Sequence, residues 1–131
     1  MTDNALMGRG LEPSLTVNDV DQSIRFYRDG LGFTVVDEMK DDKGKVQGAR
    51  FKAGNARLGI SQDDFSKGRD RAKGIGVRLW IETEQDIEAL AKHATSSDIK
   101  LDNGPAPLPW GPIAFAVTDP DGYKLTITAP E

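Results

Sequence analysis

LTVNDVDQSIRFYRDGLGF, residues 15–33, changes its hydrophobic period partway along. On the N-terminal side apolar and polar residues alternate. Leu11, Leu15 and Val17 fall on one face, and Glu12, Ser14 and Thr16 on the other. A period of two predicts a strand over Leu11–Asn18 with one face on a core. Pro13 has no N–H to give a ladder, so it belongs near the strand's start or on an edge. From Asp19 the spacing changes, and Val20, Ile24, Tyr27 and Leu31 recur along one helical face. Asp19 followed by Gln22 reads as an N-cap with its return partner. Gly30 and Gly32 suit the helix's C-terminal end. A strand therefore runs directly into a helix.

Beyond this stretch the chain continues as strands. Phe33–Met39 is one, Asp41–Gly44 is a turn, and Val46–Ala53 and Ala56–Gln62 form a hairpin across Gly54 and Asn55. Asp63–Lys73 is polar, charged and aperiodic. Its Lys67, Arg69, Arg71 and Lys73 are interrupted by Asp63, Asp64 and Asp70, so it reads as a solvated connector rather than a phosphate site. The pattern then restarts. Gly74–Ile81 is a strand, and a helix from Thr83 carries Ile87, Leu90 and Ala94 on one face. A bend covers Asn103 to Pro112, Ile113–Val117 is a strand, Asp119–Gly122 is a turn, and Tyr123–Thr128 is the last strand. Ile24, Tyr27 and Leu31 match Ile87, Leu90 and Ala94 at a constant shift of 63, and Phe51 matches Phe115 at a shift of 64. The chain is an internal repeat. It divides into an N-terminal extension (1–10), a first module (11–62), a linker (63–73) and a second module (74–129), together one α+β structural domain.

The 131 residues fit one compact domain. Cysteine is absent, which excludes disulfides, zinc–thiolate centres, iron–sulfur clusters and cysteine nucleophiles. The single histidine, His93, excludes mechanisms that need two. It lies near the end of the second helix, where the helix dipole favours a surface histidine. The net charge of -4 argues against nucleic acid as a partner. No apolar run approaches the ~20 residues of a membrane span, and MTDNALMGRG has no apolar core of signal-peptide length. A cytoplasmic protein with no membrane partner is expected.

The strand–helix opening, with its SIRFYRDGLGF, and the closing FAVTDPDGYKLTI (115–127) resemble the vicinal oxygen chelate superfamily. That superfamily holds glyoxalase I, extradiol dioxygenases, fosfomycin-resistance enzymes and bleomycin-resistance proteins. The resemblance runs from about Leu11 to Ala129. It implies two βαβββ modules forming a curved eight-stranded mixed sheet around a concave site, and it implies a homodimer. The metal-using members place His, Gln or Glu ligands at four positions. Aligning the motifs puts these at Glu12, Gly59, Gly76 and Thr126, of which only Glu12 could bind a metal firmly. A catalytic divalent ion normally wants about three protein ligands. The likeness is therefore in type to the metal-free, bleomycin-resistance-like members, and no cofactor is expected.

The alternation agrees with a concave lining. Leu58, Ile60, Leu79, Ile81, Leu125 and Ile127 point one way, while Arg57, Gly59, Ser61, Arg78, Trp80, Thr126 and Thr128 point the other. The expected ligand-binding residues are Glu12, Ser14, Arg57, Ser61, Arg78, Trp80, Trp110 and Thr126. Trp80 would stack on a flat ligand, Trp110 would close the groove, and Arg57 and Arg78 would meet an anionic or carbonyl group. Glu12 is the sole acid or base in the lining and is expected to neutralise Arg78. Asp119–Gly122 lacks the acid a calcium loop needs at its twelfth position, so it reads as a turn. The leading expectation is a binding protein that sequesters an aromatic, neutral or anionic antibiotic or metabolite. The alternatives are a metal-dependent lyase or dioxygenase with non-standard ligands including Glu12, a metal-free enzyme using Glu12 as general base, and an interaction module whose concave face is covered by a partner chain.

Overall fold

The computed structural model describes residues 4–131. Strand β1 (Ser14–Val17) leads into helix α1 (Val20–Ile24), which continues as a π-helical segment, Arg25–Gly30. Strands β2 (Thr34–Lys40), β3 (Val46–Ala53) and β4 (Ala56–Gln62) complete the first module. The second has β5 (Arg78–Glu82), α2 (Ile87–Ser96), β6 (Leu101–Pro107), β7 (Ile113–Thr118) and β8 (Lys124–Thr128). The strands form two four-stranded sheets rather than one continuous sheet. Their orders, β1-β4-β3-β2 and β5-β8-β7-β6, are the same, with one parallel pair in each. This is the architecture of two βαβββ modules, and the sheets are not closed.

One apolar cluster lies under both sheets and both helices. It includes Val17, Val20, Tyr27, Phe51, Ile60, Ile87, Phe115 and Leu125. Fully burying a side chain of this size stabilises the fold by about 1.5–3 kcal/mol. Asp19 caps α1, its carboxylate accepting from the N–H groups of Asp21 and Gln22. The helix does not stay α-helical to its end. The wider turn, in which Leu31 N–H donates to Phe26 O, sets Tyr27 wholly inside and leaves Leu31 partly exposed. Gly30 lets the segment that follows α2 approach closely, because a Cβ there would collide with Ile99 Cδ1.

Several expectations need correction. Strand β1 begins at Ser14, where pairing with Gly59 starts, and Leu11 is 83% exposed rather than in the core. Gly74–Val77 is a turn, not strand. Gly74 and Gly76 have φ of 73° and 74°, and Val77 N–H donates to Gly74 O. The proline-rich bend contains β6, whose Ala106 and Pro107 pair with Ala114 and Ile113. The linker is not simply solvated. Asp63 is buried and accepts from Lys73 (2.9 Å) and Arg71 (3.1 Å), with the Lys73 side chain only 4% exposed. These partners hold the Asp63 carboxyl far below the usual carboxylate range, Lys73 contributing most.

Polar contacts join the modules. Asn18 N–H donates to Asp121 Oδ1 (2.8 Å), and the Tyr123 hydroxyl donates to Thr16 O (2.9 Å). His93 Nε2 lies 2.9 Å from Asp29 O, and Ser97 Oγ donates to the same carbonyl. Among the described residues no helix is long and apolar enough to cross a membrane.

Candidate functional site

The expected lining residues fall into two sets on two sheets. On the first, Gly59 pairs with Ser14 on one side and with Arg50 on the other. Gly59 carries no side chain, so Arg50 reaches across it and forms two hydrogen bonds with Glu12, each 3.0 Å. A Cβ on Gly59 would lie 3.8 Å from Glu12 Oε2 and from Ser14 Oγ. Glu12 thus neutralises Arg50, not Arg78, and Arg50 was absent from the expected lining. The guanidinium holds the Glu12 carboxyl below its ordinary value, and Arg57 adds to the effect. An ionised carboxylate in a bidentate pair is a poor proton acceptor at neutral pH. Ser61 partners Thr16 and is exposed.

On the second sheet Arg78, Trp80 and Glu82 are exposed and alternate with the half-buried Leu79 and Ile81. Trp80 sits opposite Thr126, and Arg78 opposite Lys124. Trp110, in the loop after β6, approaches Trp80 with ring centroids 6.0 Å apart and planes tilted by 31°. Trp80 and Trp110 remain 51% and 57% exposed, respectively. They border a cavity of about 190 Å³ with Leu108, Pro112 and Thr128. Lys124 Nζ donates to Thr118 Oγ1, which itself donates to Asp102. Arg78 has no ion pair among the described residues. Nor does any hydrogen bond, ion pair or ring contact among them join the Glu12 set to the Trp80 set.

The four positions that the family resemblance marks for metal ligands do not form a donor set. Both Glu12 oxygens are engaged by Arg50, Gly59 has no side chain, Gly76 lies in the turn before β5, and Thr126 offers a neutral hydroxyl. Among the described residues no three His, Cys, Asp or Glu side chains come together. The residues present do not fit a divalent metal.

A larger cavity, about 710 Å³, lies elsewhere, between the modules, where Phe33, the β3–β4 hairpin, Leu90, His93, Phe115 and Ile127 meet. Sequence reading missed it. Its one sequence signal is that the repeat shift rises from 64 at Phe51/Phe115 to 67 at Leu58/Leu125, which marks unequal hairpins.

A protein from Synechocystis sp., named a probable lactoylglutathione lyase, is 27% identical over 123 residues, covering 89% of this chain and 92% of that protein. Among solved structures, TioX from Micromonospora sp. ML1 superposes with a TM-score of 0.75 at 16% identity, covering 93% of this chain and 98% of the other. A virulence protein from Salmonella typhimurium gives 0.70 at 23% identity, covering 97% and 100%. Lactoylglutathione lyase from Agrobacterium tumefaciens gives 0.66 at 20%, covering 98% and 95%. At these identities the structures establish the fold alone. The family model of the Glyoxalase/Bleomycin resistance protein/Dioxygenase superfamily matches residues 11–127, and the chain belongs to that superfamily.

Proposed function

We propose that this chain is a metal-free small-molecule-binding protein that holds a flat organic ligand, neutral or anionic, against the open face of its second sheet. The Trp80–Trp110 pair carries the reading. Two half-exposed indoles facing one small cavity form an apolar platform that nothing among the described residues covers. A flat ligand laid upon them would shield both from water, and ring stacking adds about 0.5–1.5 kcal/mol beyond area burial. Arg78 and Lys124 lie side by side at the other end of β5 and β8. Like charges placed opposite each other on a sheet are unfavourable, and an anionic group on the ligand would relieve them. The same pair repels a cationic drug. Thr126, opposite Trp80, adds a small polar group to the same face.

The Glu12, Ser14, Arg57 and Ser61 set then belongs to the ligand's other side. A homodimer would bring it against the Trp80 face of a second copy. Titration of the purified protein with 1-naphthoate tests the reading through tryptophan fluorescence. Saturable quenching is expected, lost in Trp80→Ala with the circular dichroism spectrum unchanged. Undiminished affinity in that variant would refute the site.

The alternative, a metal-dependent lyase or dioxygenase using Glu12, draws support from the name of the Synechocystis relative. Stoichiometric zinc, nickel, manganese or iron that raises thermal stability, together with lactoylglutathione lyase activity, would establish it over the binding reading.

A further inference from the structure

The likeness of the two modules breaks at one place, and the break leaves a cleft. Strand β3 turns into β4 through Gly54 and Asn55 alone, whereas β7 reaches β8 through Asp119–Tyr123. The longer turn docks on the first module through Asp119, Asp121 and Tyr123. The shorter hairpin has no such residues to place against the second module. The helical position matching Tyr27 is Leu90, which has no hydroxyl to anchor a turn. What remains is the 710 Å³ cleft between the halves, within the roughly 300–1,000 Å³ of small-molecule sites.

The cleft has an apolar floor of Leu31, Phe33, Leu90, Phe115 and Ile127. Glu82 and Glu84 stand among its lining residues, and no Lys or Arg does. Neither glutamate has an ion pair among the described residues. His93 also borders it, with Nε2 held at Asp29 O. Glu82 borders the Trp80 cavity as well, together with Glu131, so Glu84 and His93 are the titratable residues that mark the inter-module cleft alone.

We propose that this cleft is a second ligand site, specific for an organic cation: a protonated amine carried on an apolar or aromatic body. The body covers the floor, and the ammonium faces the Glu84 carboxylate. The proposal stands whether or not the Trp80 face binds a ligand.

Three probes with one ring system test it on the full chain by calorimetry and amide chemical-shift mapping: 1-naphthylmethylammonium, 1-naphthalenemethanol and 1-naphthoate. The ammonium compound is expected to bind most tightly of the three in the cleft, shifting the amides of residues 53–56 and 83–93. Glu84→Gln should weaken it by about threefold to fivefold, the worth of one partly solvated charge pair, and leave the alcohol unaffected. Leu90→Trp, which fills the cleft, should abolish binding in a protein that still melts cooperatively. Trp80→Ala should leave it intact. Ammonium binding that perturbs only the two indole signals, that is indifferent to Glu84→Gln, or that does not saturate would overturn the proposal. Loss of naphthoate quenching alone would count against the Trp80 site and not against this one.

Discussion

The Tyr27 hydroxyl donates to Asp119 Oδ2 across 2.6 Å, joining the helical segment of the first module to the β7–β8 turn of the second. Both residues are buried. The other Asp119 oxygen accepts from the N–H groups of Asp121 and Tyr123, each at 2.9 Å. Burial, with the Asp119 charge adding to it, pushes the Tyr27 phenol far above its ordinary value, so it stays a donor. The carboxylate is fully engaged, and its role is to lock the modules together rather than to do chemistry.

Asp119→Ala would leave the Tyr27 hydroxyl and two backbone N–H groups without an acceptor. Each buried unsatisfied group costs about 1–3 kcal/mol. A clear loss of stability in urea denaturation is expected. Asp119→Asn, which preserves the shape and the carbonyl acceptor, should lose less. Equal stability of Asp119→Ala and the parent would remove this joint from the account of the fold.

Two buried acids pull the pH dependence in opposite directions. Burial raises the Asp119 carboxyl despite the Tyr27 hydrogen bond. Its contribution is therefore complete below the unfolded value of about 3.9 and is lost as pH rises through the folded value. Lys73 first, then Arg71, depress Asp63. Its contribution is present above about 3.9 and is lost as pH falls toward a much lower folded value. Stability measured across the acid range should accordingly fall less steeply with acidification in Asp63→Asn, and decline less as pH rises from about 3.9 in Asp119→Asn. An acid limb in Asp63→Asn that matches the parent would show that the Lys73 pair does not govern it.

Local signals were legible in the sequence. The Asp19 cap acts within its own turn, and the hairpin at Gly54 and Asn55 sets β3 and β4 at the expected bounds. Features set by distant packing were not. Gly74 is not extended, because its backbone passes so near Gly122 that a Cβ would lie 2.5 Å from that residue's carbonyl carbon. Strand β6 exists through its pairing with β7, which overrides the prolines around it. That Arg78 and Trp80 share one face of β5 followed from alternation, but the partner of Glu12 did not. Arg50 lies on β3, and only the three-strand register across Gly59 brings it to that carboxylate.

That pairing makes Glu12 a test of the metal-free reading. Glu12→Gln should leave metal content at background, with a small loss of stability equal to that of Arg50→Ala and no further loss when the two are combined. Exposed pairs of this kind contribute little. Removal of a bound metal by Glu12→Gln would contradict the reading directly.

Arg78 and Trp80 project from alternate positions of one strand face, about 6–7 Å apart along β5, and so divide recognition between charge and ring. Trp80→Ala should weaken 1-naphthoate and 1-naphthalenemethanol alike, because both offer the same ring. Arg78→Ala should weaken the naphthoate by about tenfold, the worth of a hydrogen bond to a charged group, and spare the alcohol. The naphthoate preference should also shrink as salt is added, since both cations are exposed and screened. Equal losses for the two ligands in Arg78→Ala would mean that Arg78 shapes the platform and does not select an anion.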